Sequence, residues 1–421
     1  MLSFVKGTKT YYKFVMNPSI PSPIYDNIQC LKNQTLSGNY PDFQIKDFNT
    51  AKEFLLQYDG SEDSFNAYRR ELERLSQWSW LVQQKSIIEL SRQDIEEYIK
   101  FCQKPPKTWI ALKNVSRFKV INGIRTANSG WRPFVAAIPK AKTKNGGIPN
   151  KNDYRFSQTS LKELFAITSS FYNYLVQIDL REINPLLQIR QKNKYLQKTQ
   201  RGIEVIRRLS TLQWNYTIET AEQMAKNNPE KYERTYFIMT LLYGMYLRIS
   251  ELVETPRWQP KMNDFYRDQD DLWWFKTVGK GNKLREISVS DAVITALKRW
   301  RKFLGLSLLP TPADTSPLLP KEKGTAGLSD KRHVRSIVQE CFDLTMERLK
   351  KDGFIEEAEE MQSATVHWLR HTGISDDVKI RPREHVRDDA GHSSGAITDR
   401  YINIERRERH STAQKKPLKQ N

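Results

Sequence analysis

Apolar positions along this chain recur mostly at three- and four-residue intervals, the spacing that lines one face of a helix. In the N-terminal half, Thr50 and Glu53 form a T-x-x-E pattern in NTAKEFLLQYD, which predicts a helix start at that point. Phe65, Tyr68, Leu72 and Leu75 predict a second helix, and Ser91 with Asp94 opens a third. Ser160 with Glu163 opens a fourth, carrying Leu161, Leu164, Phe165 and the aromatics Phe171, Tyr172 and Tyr174. Residues 1–47, which include NPSIPSPIYDN, lack such periodicity and read as an irregular lead-in. The expectation is a small all-helical domain over 48–190.

The second half changes period. KYERTYFIMTLLYGMYLRISELVE is apolar nearly all round, which implies a buried helix. LWWFKTV and KLREISV are β-type runs joined by Gly279-Lys280-Gly281-Asn282, a hairpin signature. Helical spacing returns in DAVITALKRWRKFL, in HVRSIVQECFDLTMERLKKDG and around His367. The expected fold class is mainly α with a small antiparallel β-sheet: a helical domain, a polar linker at 191–204, a mixed α+β domain over 205–410 and a basic tail at 411–421.

Charge narrows the partner. The 421 residues hold 68 Lys and Arg against 49 Asp and Glu, a net charge of +19, while 38% apolar residues suffice for packed cores. Such an excess attracts polyanions, and nucleic acid is the expected partner. The excess is uneven, because Lys104–Arg155 contains twelve Lys or Arg and one acid, interleaved with Trp109, Phe118, Trp131, Phe134 and Tyr154. That segment reads either as a surface tracking phosphates, with Lys140, Lys142, Lys144, Lys151 and Arg155 as contacts, or as a solvated basic loop. Three scattered cysteines without C-x-x-C spacing fit a reducing compartment, and no run of about 18 apolar residues marks a membrane span, so a soluble cytoplasmic protein is expected.

Several polar residues of the second half have no obvious packing role. Arg248 follows an apolar run and has Glu251 three residues on; the pair reads equally as a core ion pair or as a phosphate-binding Arg oriented by its acid. Lys280 stands between two glycines at the hairpin tip. ATVHWLRHTG places His367, Arg370 and His371 at i, i+3 and i+4 on one helical face. Two His at that spacing also occur in zinc helices, but residue 368 is Trp where H-E-x-x-H requires Glu, so neither a metal nor a cofactor is expected. His392 in GHSS follows, then Tyr401 nine residues later. Two arginines can hold the non-bridging oxygens of a phosphoryl-transfer transition state, and a deprotonated phenol is a nucleophile.

The strings LRISEL, VGKGNKLREISV, HWLRHT, GHSS and the spaced Tyr401 resemble, in order and spacing, the catalytic domain of the tyrosine recombinases, or lambda-type phage integrases. The helices of 48–190 resemble that family's core-binding domain in pattern and order. The resemblance implies that double-stranded DNA is the partner, that Tyr401 attacks it to form a 3′-phosphotyrosyl link, that Arg248 and Arg370 hold the phosphate, and that Lys280 protonates the leaving 5′-oxygen. It further implies His367 in proton transfer at the nucleophile, His392 donating to the phosphate, Glu251 orienting Arg248, and a homotetramer exchanging strands between two sites. Cleavage and resealing of the resolvase or topoisomerase type, and a DNA-binding protein without catalysis, are the alternatives. The chain departs from the family pattern at Met245-Tyr246-Leu247, where small residues are usual, at Ala390 in place of Leu, and in the charged stretch ISDDVKIRPREHVRDDA.

Overall fold

The computed structural model describes residues 20–36, 39–192, 207–279, 283–392 and 394–402. The chain divides into two compact units, Met1–Arg201 and Gly202–Asn421.

The first unit is built on the helices Asp42–Leu56, Glu62–Trp78, Arg92–Gln103 and Gln158–Gln177. Phe48, Phe54, Phe65, Leu72, Leu75, Tyr98, Leu164 and Phe171 are buried between them. Ser91 and Asp94 cap their helix reciprocally, as the sequence predicts. Two other predicted starts are displaced. Thr50 lies inside a helix that begins at Asp42, because Phe48 extends the Ala51, Phe54, Leu55 stripe upstream and Asp42 favours the first turn. This helix crosses the boundary expected at residue 47. The Ser160 helix likewise begins earlier, with Ser157 accepting the Ser160 N–H at 3.1 Å.

Within the lead-in, residues 20–36 are docked by side chains, which is why no periodicity marks them. Tyr25 is buried, its hydroxyl 3.0 Å from that of Ser76, and Glu73 accepts the backbone N–H groups of Ile24 and Tyr25 at 2.8 and 3.3 Å. The basic insert adds strands to a unit expected to be all helical. Ile110–Ala111 pairs in parallel with Phe134–Val135, and Phe118–Ile121 pairs with Ile124–Ala127 in a hairpin. Of the linker expected at 191–204, residues 191–192 close the helix Pro185–Lys192 and the rest lies outside the described residues, as does the tail at 411–421.

The second unit packs the helices Thr211–Asn227, Pro229–Gly244, Asp291–Phe303, Lys331–Lys351 and Val366–Asp377 around one core. Its antiparallel sheet orders Phe265–Arg267, Trp273–Val278 and Leu284–Ser288, with Val278 opposite Leu284. The long apolar run is not one helix. It ends at Gly244, turns through Tyr246 in the left-handed region (φ +51°), and resumes as the short helix Ile249–Leu252 with Arg248 extended at its N-cap. Gly373 lets the helix Val366–Asp377 cross this break closely, since a Cβ there would collide with the Tyr243 carbonyl oxygen. Among the described residues no helix is long and apolar enough to cross a membrane.

Candidate active site

The break after Gly244 sets the first arginine. Because Arg248 is an N-cap, its backbone N–H donates to Glu251 Oε2 (2.7 Å) while its Nη1 donates to Oε1 (3.0 Å). Glu251 is fully buried and also accepts from Arg285 Nη2 at 2.7 Å. Arg285 lies two residues before the buried Ile287 and so on the same face of its strand, which points the guanidinium inward; its Nη1 donates to the Asp389 carbonyl at 2.5 Å. Gly391, left-handed at φ +62°, packs against this side chain, and a Cβ there would lie 2.9 Å from Arg285 Cδ.

Arg370 is held by main-chain oxygens. Its Nη1 donates to the carbonyl of Tyr246 and its Nη2 to that of Ala390 (2.5 Å). Burial, then the charges of Arg248 and Arg285, pulls its pKa down to about 9. Arg248 and Arg285 thus share the buried Glu251, and the Arg370 guanidinium, close enough to feel both of their charges, is bonded by main-chain carbonyls. An added anion would relieve that imbalance.

The histidines adjoin the arginines. His367 and His371 stack with ring centroids 5.7 Å apart, His371 Nδ1 lies 2.6 Å from the Tyr401 hydroxyl, and the His392 ring stacks on Tyr401 at 5.9 Å. His392 Nδ1 lies 2.9 Å from the Thr398 hydroxyl. Burial first, and then neighbouring charge, lowers the pKa of His371 and of His392 to about 4 and shifts that of His367 downward. The Tyr401 ring is buried in a small cluster with Tyr246, Ile374, Val386 and Ala390.

A polar network underlies this cluster. Tyr246 donates its hydroxyl hydrogen to Asp377, and Arg381 reaches the Tyr246 oxygen at 3.0 Å, Asp377 at 3.2 Å and Asp389 at 2.6 Å. Asp389 also accepts the Ser288 backbone N–H at 3.1 Å. The charged stretch that departs from the family pattern therefore holds the turn whose carbonyl binds Arg370.

Of the residues singled out in the sequence, Arg248, Glu251, Arg370, His392 and Tyr401 come together, with His367 one ring removed from Tyr401 through His371. Lys280 lies outside the described residues, although Gly279 sits against the site: a Cβ on it would be 3.5 Å from Glu251 and 3.6 Å from Arg248. Sequence reasoning misses Arg285, which is marked by a charge at an inward strand position, and it places His371 on the His367 helical face without giving it a role. In the other unit, Lys140, Lys142 and Lys144 lie on the short helix Lys140–Lys144, Lys151 donates to the Lys107 carbonyl at 2.8 Å, and Arg155 donates to the carbonyls of Asn152 and Tyr154 at 2.7 and 2.8 Å.

Arginines beside a tyrosine hydroxyl and imidazoles of lowered pKa are a set chemically able to support phosphoryl transfer. Residues 215–408 match the phage integrase family model. The chain is 27% identical over 195 residues to a tyrosine recombinase XerC of Caldanaerobacter subterraneus subsp. tengcongensis, covering 45% of this chain and 46% of that one. It thus spans about half the length of this curated relative. It shares a fold with the XerH site-specific recombinase crystallised with palindromic difH substrate as a post-cleavage complex (TM-score 0.52, 13% identity, 92% of this chain and 93% of that one). The likeness to the phage integrase family thus lies within the second unit, over residues 215–408.

Proposed function

We propose that the protein is a site-specific DNA recombinase that breaks and rejoins strands through a phosphotyrosine. The observation that carries this reading is the grouping of Arg248 and Arg285 on the buried Glu251 with Arg370 held nearby by main-chain oxygens, within the electrostatic reach of Tyr401. Tyr401 Oη attacks the scissile phosphorus, the bond to the 5′-oxygen breaks, and a 3′-phosphotyrosyl link forms. Arg248 and Arg370 hold the non-bridging oxygens, His392 donates to one of them, and Glu251 keeps Arg248 in place. Lys280 supplies the proton to the leaving 5′-oxygen, and His367 assists proton transfer on the nucleophile side. A 5′-hydroxyl from a second duplex reverses the step, so the bond energy is conserved and strands are exchanged within a homotetramer on two sites. Lys140, Lys142, Lys144, Lys151 and Arg155 bind phosphates outside the reacting bond.

The test uses full-length protein and a duplex selected from a random pool by binding, nicked beside the cleavage point so that the product cannot religate. A denaturant-resistant protein–DNA adduct is expected from wild type and none from Tyr401→Phe. Binding without any adduct overturns the catalytic reading, and an adduct from Tyr401→Phe reassigns the nucleophile.

A further inference from the structure

We infer that His371 is a catalytic residue: its Nδ1 takes the proton from the Tyr401 hydroxyl as the phenolic oxygen attacks phosphorus. The inference rests on the recombinase reading and assigns to one named atom a step that family resemblance gives to His367. The geometry distinguishes the two histidines. The Tyr401 oxygen is 2.6 Å from His371 Nδ1, a proton-transfer distance for a phenol and an imidazole, whereas His367 meets the ring of His371 at 5.7 Å between centroids.

The surroundings fix the state of the ring. His371 is flanked by His367 and Arg370, both of which oppose a proton on it, and it is largely buried, so the imidazole is neutral and its lone pair is available. With the phenol as donor, Nδ1 is the acceptor and the ring hydrogen sits on Nε2. A phosphate held by Arg248 and Arg370 offsets the cationic charge that keeps His371 from protonating, so basicity rises when DNA is seated. The proton balance then closes. The Oη–H bond breaks as Nδ1–H forms, Oη–P forms as P–O5′ breaks, and the 5′-oxygen takes a proton from the leaving-group side. Stacked against His371, His367 positions the ring.

The same nicked duplex tests this, alongside a version with sulfur at the bridging 5′ position, whose leaving thiolate needs no acid. His371→Ala and His371→Gln are each expected to slow adduct formation by about 100-fold or more on both duplexes while binding them as wild type does. Glutamine retains an acceptor for the Tyr401 hydroxyl but is not a base, so recovery of the wild-type rate in His371→Gln would make the residue a positioning group and overturn the inference. Rescue of either variant by sulfur would overturn it too, because the defect would then lie at the leaving group. If His371→Ala fails to fold, judged by its melting transition, His371→Gln decides. Absence of adduct from wild type on both duplexes defeats the recombinase reading itself, a result distinct from any of these.

Discussion

Two regions of this protein concentrate positive charge, and they do so by opposite means. In the insert of the first unit most of the lysines are exposed, and two of the arginines are held by acids outside the insert: Arg117 contacts the buried Glu73 at 2.8 Å, and Arg125 pairs with Asp26 of the lead-in. In the second unit Arg370 is buried, Arg248 and Arg285 are partly buried, and Glu251 is the carboxylate that Arg248 and Arg285 share. Exposed cations are screened by water and salt, so each adds little and their effect is a sum. Buried cations short of counter-charge are costly until an anion arrives. Net charge records the first kind and conceals the second.

The sharpest way to break this contrast is to remove one buried guanidinium. Arg370→Ala is expected to lower adduct formation by about 10²–10³-fold, the range for losing one preorganised donor to a charged transition state. Gel-shift affinity should stay close to wild type. A parallel loss of binding would mean that the buried cluster also supplies affinity, and the contrast would fail. Next in size is Arg285→Met, which leaves Glu251 with Arg248 alone and frees the Asp389 carbonyl. A loss of about 10-fold in adduct formation is expected, as for other groups that orient a reacting residue. A wild-type rate would confine Arg285 to a structural role.

Much of this site is legible in the sequence because its residues recur at helical and strand spacings. His367, Arg370 and His371 fall on one face through the 3.6-residue period alone, and the hairpin at Gly279 follows from its turn residues. The hidden part depends on contacts distant in sequence. The apolar run puts Arg248 on a continuous helix, but the chain breaks at Tyr246, whose left-handed backbone is held by Asp377 and Arg381 more than 130 residues away. The departures at Tyr246 and Ala390 also make sense only together, since both pack in the cluster around the Tyr401 ring. A larger residue at one position and a smaller one at the other roughly conserve volume. Likewise, the Thr50 and Ser160 patterns misplace two helix starts because capping pairs are local, whereas the buried stripe that extends a helix is set by its packing.

The exposed region is tested by salt. Lys142→Gln with Lys151→Gln should reduce the slope of log K against log salt by about 0.9 for each phosphate no longer neutralised, and leave the cleavage rate at saturating protein unchanged. An unchanged slope would show that the insert does not touch DNA and that its charge is merely solvated.

The smallest expected effect separates the two regions by pH. His371 and His392 hold native pKa values of about 4 against an ordinary value near 6.5, so between these limits the unfolded chain binds more protons than the folded one. Stability therefore rises with pH across this window: the contribution is present in full above about 6.5 and is lost as pH falls toward 4. Melting temperatures measured from pH 7 to pH 4 should fall less steeply for His371→Gln than for wild type, whereas Lys142→Gln should follow the wild-type curve. Identical slopes for wild type and His371→Gln would show that the ring protonates as readily in the folded chain as in the unfolded one. Neither burial nor the charges of His367 and Arg370 would then oppose a proton on His371, and the division between solvated and buried charge would lose its clearest thermodynamic mark.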